Sequence, residues 1–197
     1  MAYVEATGLA IIEEAEATGE VARVFAEYKR ETRQPFVPNI MKVMANSPTV
    51  IISYWSMISS FYQNSILPES LTAMIFYTVA HANSCQYCSA GHEVSCRILG
   101  IDEDMLTALV KDLGSVSPER VRAIIEFAIK VARDPKGVNI DDYDKVRDRG
   151  VTDEELVEII FIAAMGNFGD TMADSLKIEV DSATSDVLRR SKQGVIG

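Results

Sequence analysis

Two separated stretches of this 197-residue chain repeat at the same offset of 50 residues. Pro68-Glu69-Ser70-Leu71-Thr72-Ala73-Met74-Ile75 returns as Pro118-Glu119-Arg120-Val121-Arg122-Ala123-Ile124-Ile125. Gly100-Ile101-Asp102-Glu103-Asp104-Met105-Leu106 returns as Gly150-Val151-Thr152-Asp153-Glu154-Glu155-Leu156. One shared offset at two places is hard to produce from chance helical composition, so the chain is read as a duplicated helical unit spanning about 68–110 and 118–160. Under that alignment Cys85 falls on Pro135 and Cys88 on Val138, so only the first copy carries thiols.

The remaining periodic segments also read as helix. Val21, Val24, Phe25 and Tyr28 fall on one helical face. Ile40, Met41, Val43 and Met44 make a short helix after Pro38, and Asn46-Ser47-Pro48 is a turn and cap for the next, which carries Val50, Ile51, Tyr54, Ile58 and Phe61. A helix from Glu69 to about Ala82 leads to Asn83 and Ser84, either of which is expected to cap a helix bearing Cys85, Cys88, His92 and Cys96, stopped by Gly100. The last long helix is expected from about Asp153 towards Asn167, with Gly166 and Gly169 kinking it or admitting another backbone. No alternating strand pattern competes, so the fold class is all-α. Residues 1–19 are taken as an arm packing on the body or on a neighbouring subunit, residues 20–197 as one all-helical domain, and the polar tail after Ser182 as a short or frayed helix.

Composition narrows the partners. A net charge of −10 with no Lys/Arg cluster argues against a nucleic-acid surface. No apolar run approaches the roughly 20 residues of a membrane span, and the first residues lack the basic and apolar regions of a signal peptide, so a cytoplasmic protein is expected. Three cysteines, two of them as CxxC, fit a reducing compartment and a catalytic or metal use better than a disulfide framework.

The chemistry centres on Cys85-Gln86-Tyr87-Cys88-Ser89-Ala90-Gly91-His92. Thiols two residues apart in a helical first turn can close a disulfide with little backbone movement, and a helix N-terminus stabilises a thiolate. His92, four residues after Cys88, stands one turn along the same face, where it can take or relay the thiol proton. His81, one turn before Cys85, is either a relay partner or a helix-end polar group. Against this stands a bland reading, two buried cysteines and a helix-face histidine. Zinc through Cys96 is disfavoured, because Cys85 and Cys96 on one helix lie about 16 Å apart along the axis. Cys96 is then a packing residue. The sequence has no GxGxxG, no P-loop and no nucleophile elbow, so no cofactor site is expected.

Leu67-Pro68, an apolar helix ending Val79-Ala80, the run Asn83-Ser84-Cys85-Gln86-Tyr87-Cys88 with His92, and then Gly100-Ile101 and acidic residues resemble the alkylhydroperoxidase D-like members of the carboxymuconolactone decarboxylase superfamily. Asn167 with Ala173-Asp174 resembles that family's final helix, and Pro48 after a Met-rich helix resembles its longer two-repeat, peroxidase-related branch. The likeness runs from about Glu20 to Val180. It implies an all-helical bundle, homo-oligomers (trimers or hexamers), no metal, and reduction of hydroperoxides through the CxxC with an external dithiol or protein thiol as reductant. The sequence departs from the family at Ala73, where a relay glutamate is usual, and at Tyr87, where the best-known members carry histidine. Either His81 or Glu69 replaces the carboxylate, or turnover is slow, or the scaffold serves another thiol reaction.

The expected site is therefore Cys85, Cys88, His92 and His81, with Cys88 attacking as thiolate, His92 assisting and Cys85 resolving. The helix dipole favours Cys85 as nucleophile, and the His92 spacing and the resemblance favour Cys88. The alternatives are a helical oligomer with structural or redox-sensing thiols, and a decarboxylase-like enzyme that does not need the pair. Apolar stripes (Val121, Ile124, Ile125, Ala128; Ile159, Ile160, Ala163) with Trp55, Phe61, Phe76 and Phe161 suggest apolar surface shared between subunits.

Overall fold

The computed structural model describes residues 2–192. Its described residues form ten α-helices and one two-stranded hairpin: β1 (Ala2–Tyr3), β2 (Ala10–Ile11), α1 (Gly19–Thr32), α2 (Asn39–Met44), α3 (Pro48–Asn64), α4 (Glu69–Ala82), α5 (Gln86–Ile98), α6 (Glu103–Lys111), α7 (Glu119–Arg133), α8 (Ile140–Arg147), α9 (Asp153–Ser175) and α10 (Ser182–Lys192). The all-α reading holds. The only strands among the described residues are the two-residue pair that closes the N-terminal arm. The polar tail begins as α10, and its last five residues lie outside the described residues.

The chain gathers into two compact units. The first takes the residues up to Ser65 together with Met172–Asp181. Here the arm packs on its own chain. Asn46 Nδ2 donates to the Ala10 carbonyl at 2.6 Å, Lys42 pairs with Glu13 at 2.7 Å, and Lys29 pairs with Glu14 at 2.6 Å. α1 packs on α3 through Tyr28 and Trp55, whose rings meet edge to face at 5.6 Å. Ser47 caps α3 as its sequence position suggests, its side chain accepting from Val50 N.

The second unit takes Ile66–Thr171 and continues from Ser182. It is built around α4. Every residue from Leu71 to Ala80 is buried, so this helix is covered on all sides and packs on α5, α6 and α7. α4 and α7 each begin directly after a proline, and Gly100 and Gly150 both hold positive φ (81° and 77°) three residues ahead of α6 and α9. A positive φ there is a conformation that glycine adopts without a Cβ penalty.

α9 differs from its expected form in two ways. It runs on to Ser175, and at 23 residues it is long and apolar enough, by length and composition alone, to cross a membrane. This corrects the expectation that no segment is so long and apolar: Glu158, Gly166, Asn167, Gly169 and Asp170 interrupt a helix that is apolar on average. Its Leu156, Ile159, Ile162, Ala163 and Gly166 are buried within the chain. Of the two glycines only Gly166 serves close packing: a Cβ there would sit 2.9 Å from Cγ1 of Val79 on α4, whereas Gly169 has open space.

The apolar stripes are largely consumed inside the chain, which corrects the reason given for sharing them. Ile124, Ile125, Ala128, Ile159 and Ala163 are fully buried, and Trp55 and Phe76 are each 5% exposed. Removing one such isoleucine side chain from water contributes about 1.5–3 kcal/mol. Phe161, at 41% exposed, is the aromatic residue of the group that keeps a large surface.

Candidate active site

α4 and α5 meet through one short turn, and that turn positions the first thiol. Cys85 N donates to the Ala80 carbonyl and Ser84 N to the His81 carbonyl, both at 3.0 Å, while Ser84 takes φ +61°. This is a Schellman ending with serine, rather than glycine, in the left-handed position. The residue that closes α4 also opens α5: Cys85 is the N-cap, its carbonyl accepting from Ser89 N at 3.0 Å and its Sγ from Cys88 N at 3.3 Å. Neither Asn83 nor Ser84 caps α5, as the sequence had suggested. Asn83 is the C-cap of α4 and Ser84 the turn residue, because the short connection leaves Cys85 at the first helical N–H groups.

Both thiols are free and enclosed, Cys85 at 0% and Cys88 at 7% exposure. Cys85 Sγ, Cys88 Sγ and a carboxylate oxygen of Asp170 lie within 4.8 Å of one another. The Cys88 thiol is hydrogen-bonded with Cys85 and with Asp170. The bond with Cys85, burial and the negative field of Asp170 together push it far above the usual cysteine range.

Asp170, on α9 and 4% exposed, is held in turn by Asn83, whose Nδ2 donates to its Oδ2 at 2.7 Å and to Asn167 Oδ1 at 2.7 Å. Asn167 Nδ2 donates to the Ala132 carbonyl at the end of α7 at 2.8 Å, and Arg133 donates to the Ala82 carbonyl at the end of α4. The ends of α4 and α7 are thus tied to the middle of α9 by one polar network. Among the described residues no buried side-chain polar atom lacks a partner. A satisfied buried network of this kind fixes the carboxylate beside the sulfur.

The other expected site residues lie elsewhere. His92 is on α5, as its spacing requires, but its ring stacks on Phe76 of α4 with centroids 5.0 Å apart and planes 11° from parallel. It is not part of the cluster formed by the thiols and Asp170. Burial lowers its pKa to about 4, so the imidazole is neutral at pH 7. Below about pH 6.5 an unfolded chain takes up a proton that the native chain refuses until about pH 4. The stability His92 contributes is therefore complete above pH 6.5 and is lost as the pH falls to 4, by up to about 3 kcal/mol. His92→Phe keeps the stack without the proton, and urea unfolding of the variant at pH 4.5 and 7.5 should show a smaller difference than wild type. An equal difference would show that His92 is not the group responsible.

His81 meets Tyr77 edge to face at 4.7 Å and lines a separate cavity of about 500 Å³ with Thr78, Lys111 and Asp112. Desolvation lowers its pKa. Glu69 is exposed in the first turn of α4, at the far end of a helix about 20 Å long. Ala73 is buried on α4. The carboxylate in the cluster is Asp170, which sequence reasoning missed, although Asn167 one turn earlier had been singled out. Cys96 is fully buried, and burial and Glu93 push its thiol up to about 12, as befits a packing residue.

No family model and no curated protein matches this sequence. Solved structures do match its fold. A peroxidase-related protein of Ralstonia eutropha JMP134, described as an alkylhydroperoxidase AhpD core, is 23% identical over 89% of this chain and 92% of its own, with a TM-score of 0.79. A peroxidase-related protein of Silicibacter sp. TM1040 is 21% identical over 93% and 96%, also at 0.79. The debrominase Bmp8, as a cysteine-to-alanine variant in complex with 2,3,4-tribromopyrrole, is 17% identical over 93% and 97%, at 0.79. The resemblance read from the sequence therefore holds at the level of architecture: this chain has the fold of the alkylhydroperoxidase AhpD core.

Proposed function

We propose that the chain reduces hydroperoxides through a Cys85/Cys88 dithiol cycle in which Asp170, rather than His92, moves the proton. The observation that carries this reading is the enclosed cluster of two cysteine sulfurs and one carboxylate. Cys88 is the attacking sulfur, since it is the more exposed of the two and its thiol is bonded to Asp170. Asp170 takes the thiol proton as the sulfur attacks the distal peroxide oxygen. The O–O bond breaks, Cys88 becomes a sulfenic acid, and the proton passes to the departing alkoxide to give an alcohol. The Cys85 thiol then displaces water from the sulfenic acid, forming the disulfide one helical turn across the N-cap. An external dithiol or protein thiol returns both electrons and two protons. A reducing cytoplasm supplies the poise this cycle needs.

Thiol counting tests the reading. Reduced, denatured protein should titrate as three thiols, and protein treated first with one equivalent of hydroperoxide should titrate as one, Cys96. Three thiols after treatment would leave the pair structural. The structural match to Bmp8 favours one second reading, in which the same two electrons go to a carbon–bromine bond. The dithiol would become a disulfide, hydrogen would replace bromine on the ring, and H⁺ and Br⁻ would leave. Bromide release from a bromopyrrole by reduced protein inert towards peroxide would select that reading.

A further inference from the structure

We infer that the reduced site is also a binding site for a soft divalent cation of the zinc class, held by Cys85 Sγ, Cys88 Sγ and one carboxylate oxygen of Asp170. The three donors already lie within 4.8 Å of one another, on α5, its N-cap and α9. Tetrahedral zinc, with bonds of about 2.3 Å to sulfur and about 2.0–2.2 Å to oxygen, sets its donors about 3.4–3.8 Å apart. Small side-chain rotations therefore close the cluster onto an ion, and a water fills the fourth position. Asn83 supplies the outer support such ligands need, its Nδ2 donating to Asp170 Oδ2 at 2.7 Å. Two sulfurs among three donors favour zinc or cadmium over magnesium or calcium.

Charge argues in the same direction. Two thiolates and a carboxylate brought together in an enclosed pocket repel one another. A dication removes that repulsion, so binding releases the two thiol protons to buffer and leaves the site with one net negative charge. This site differs from the one rejected from the sequence. Cys96 takes no part, and the third donor comes from a helix distant in sequence. It exists only in the reduced chain, because a disulfide removes both sulfur donors. The inference needs only these donors and is independent of which oxidant the pair serves.

The test is a zinc titration of reduced, metal-free protein against a chromophoric chelator, with Co²⁺ as spectroscopic probe. The expected result is one ion per chain, a thiolate-to-cobalt charge-transfer band, and proton release that grows as the pH falls. Peroxide-oxidised wild type, which needs no substitution to lose its thiols, should bind none. Asp170→Asn should weaken binding by about tenfold or more, while Cys96→Ser should bind as wild type does. Circular dichroism checks that each variant keeps its helices. Failure of reduced wild type to compete for zinc at micromolar concentration would overturn the site, as would an Asp170→Asn affinity equal to wild type. Peroxide consumption is assayed separately on metal-free protein, so loss of either activity leaves the other readable.

Discussion

Cys88→Ser ends hydroperoxide consumption, and Cys85→Ser ends turnover while preserving one reaction. Both outcomes follow from the unequal placement of the two sulfurs. Cys88 keeps the exposed edge and the bond to Asp170, and Cys85 is sealed beneath the first turn of α5 with its sulfur committed to the Cys88 amide. Without Cys88 no sulfur can be oxidised at the site, and peroxide loss should fall to the rate of buffer alone. Without Cys85 the first step still proceeds, and one equivalent of peroxide is consumed per chain. The chain then stalls as a Cys88 sulfenic acid that a dimedone-type reagent captures. Because the two residues act in sequence, the double variant should be no worse than Cys88→Ser. Stopped-flow peroxide consumption with mass spectrometry of the adduct measures both. Full turnover in Cys85→Ser would remove it as the resolving thiol, and a single turnover in Cys88→Ser would reverse the order of the pair.

Asp170→Asn slows peroxide reduction by about 10²–10⁴-fold, the range for losing a positioned proton-transfer group. The substitution is close to isosteric, and the Asn83 amide still finds an oxygen to donate to, so the network should stand. Asp170 acts on Cys88 in two opposed ways. Its charge favours the protonated sulfur, and in the proposed cycle its carboxylate accepts that proton and delivers it to the leaving oxygen. The two effects separate with a second electrophile. Alkylation by iodoacetamide needs thiolate and no proton donor, so it should run as fast or faster in Asp170→Asn near neutral pH, while peroxide reduction falls. If both rates fell together, Asp170 would be structural support. If neither changed, the carboxylate would have no part in the chemistry.

Much of this was readable in the residues. The helix starts after Pro68 and Pro118 and the turns at Gly100 and Gly150 are where their residues suggest, since helix starts and left-handed turns are local matters settled within a few residues of sequence. The CxxC spacing placed Cys85 and Cys88 across the first turn of a helix for the same reason. Local rules did less well where two elements compete for one residue. Asn83 and Ser84 look like caps, but a Schellman ending on α4 used both and passed the capping role to Cys85. His92 occupies the helical face its spacing dictates, yet Phe76 on the neighbouring helix decides where its ring lies and what its nitrogens can reach.

Asp170 is the clearest case of what only tertiary structure decided. Nothing near it in sequence separates it from Asp174 on the same apolar helix, and it stands far along the chain from the sulfur it touches. Its role arises because Gly166 lets α9 approach Val79 of α4 and because Asn83, at the end of that helix, reaches across to Asn167 and Asp170, which share a face three residues apart. A residue's neighbours along a helix follow from periodicity. The partner of a buried charge follows from which helices pack together and at what height, and that is set by contacts summed over the whole core.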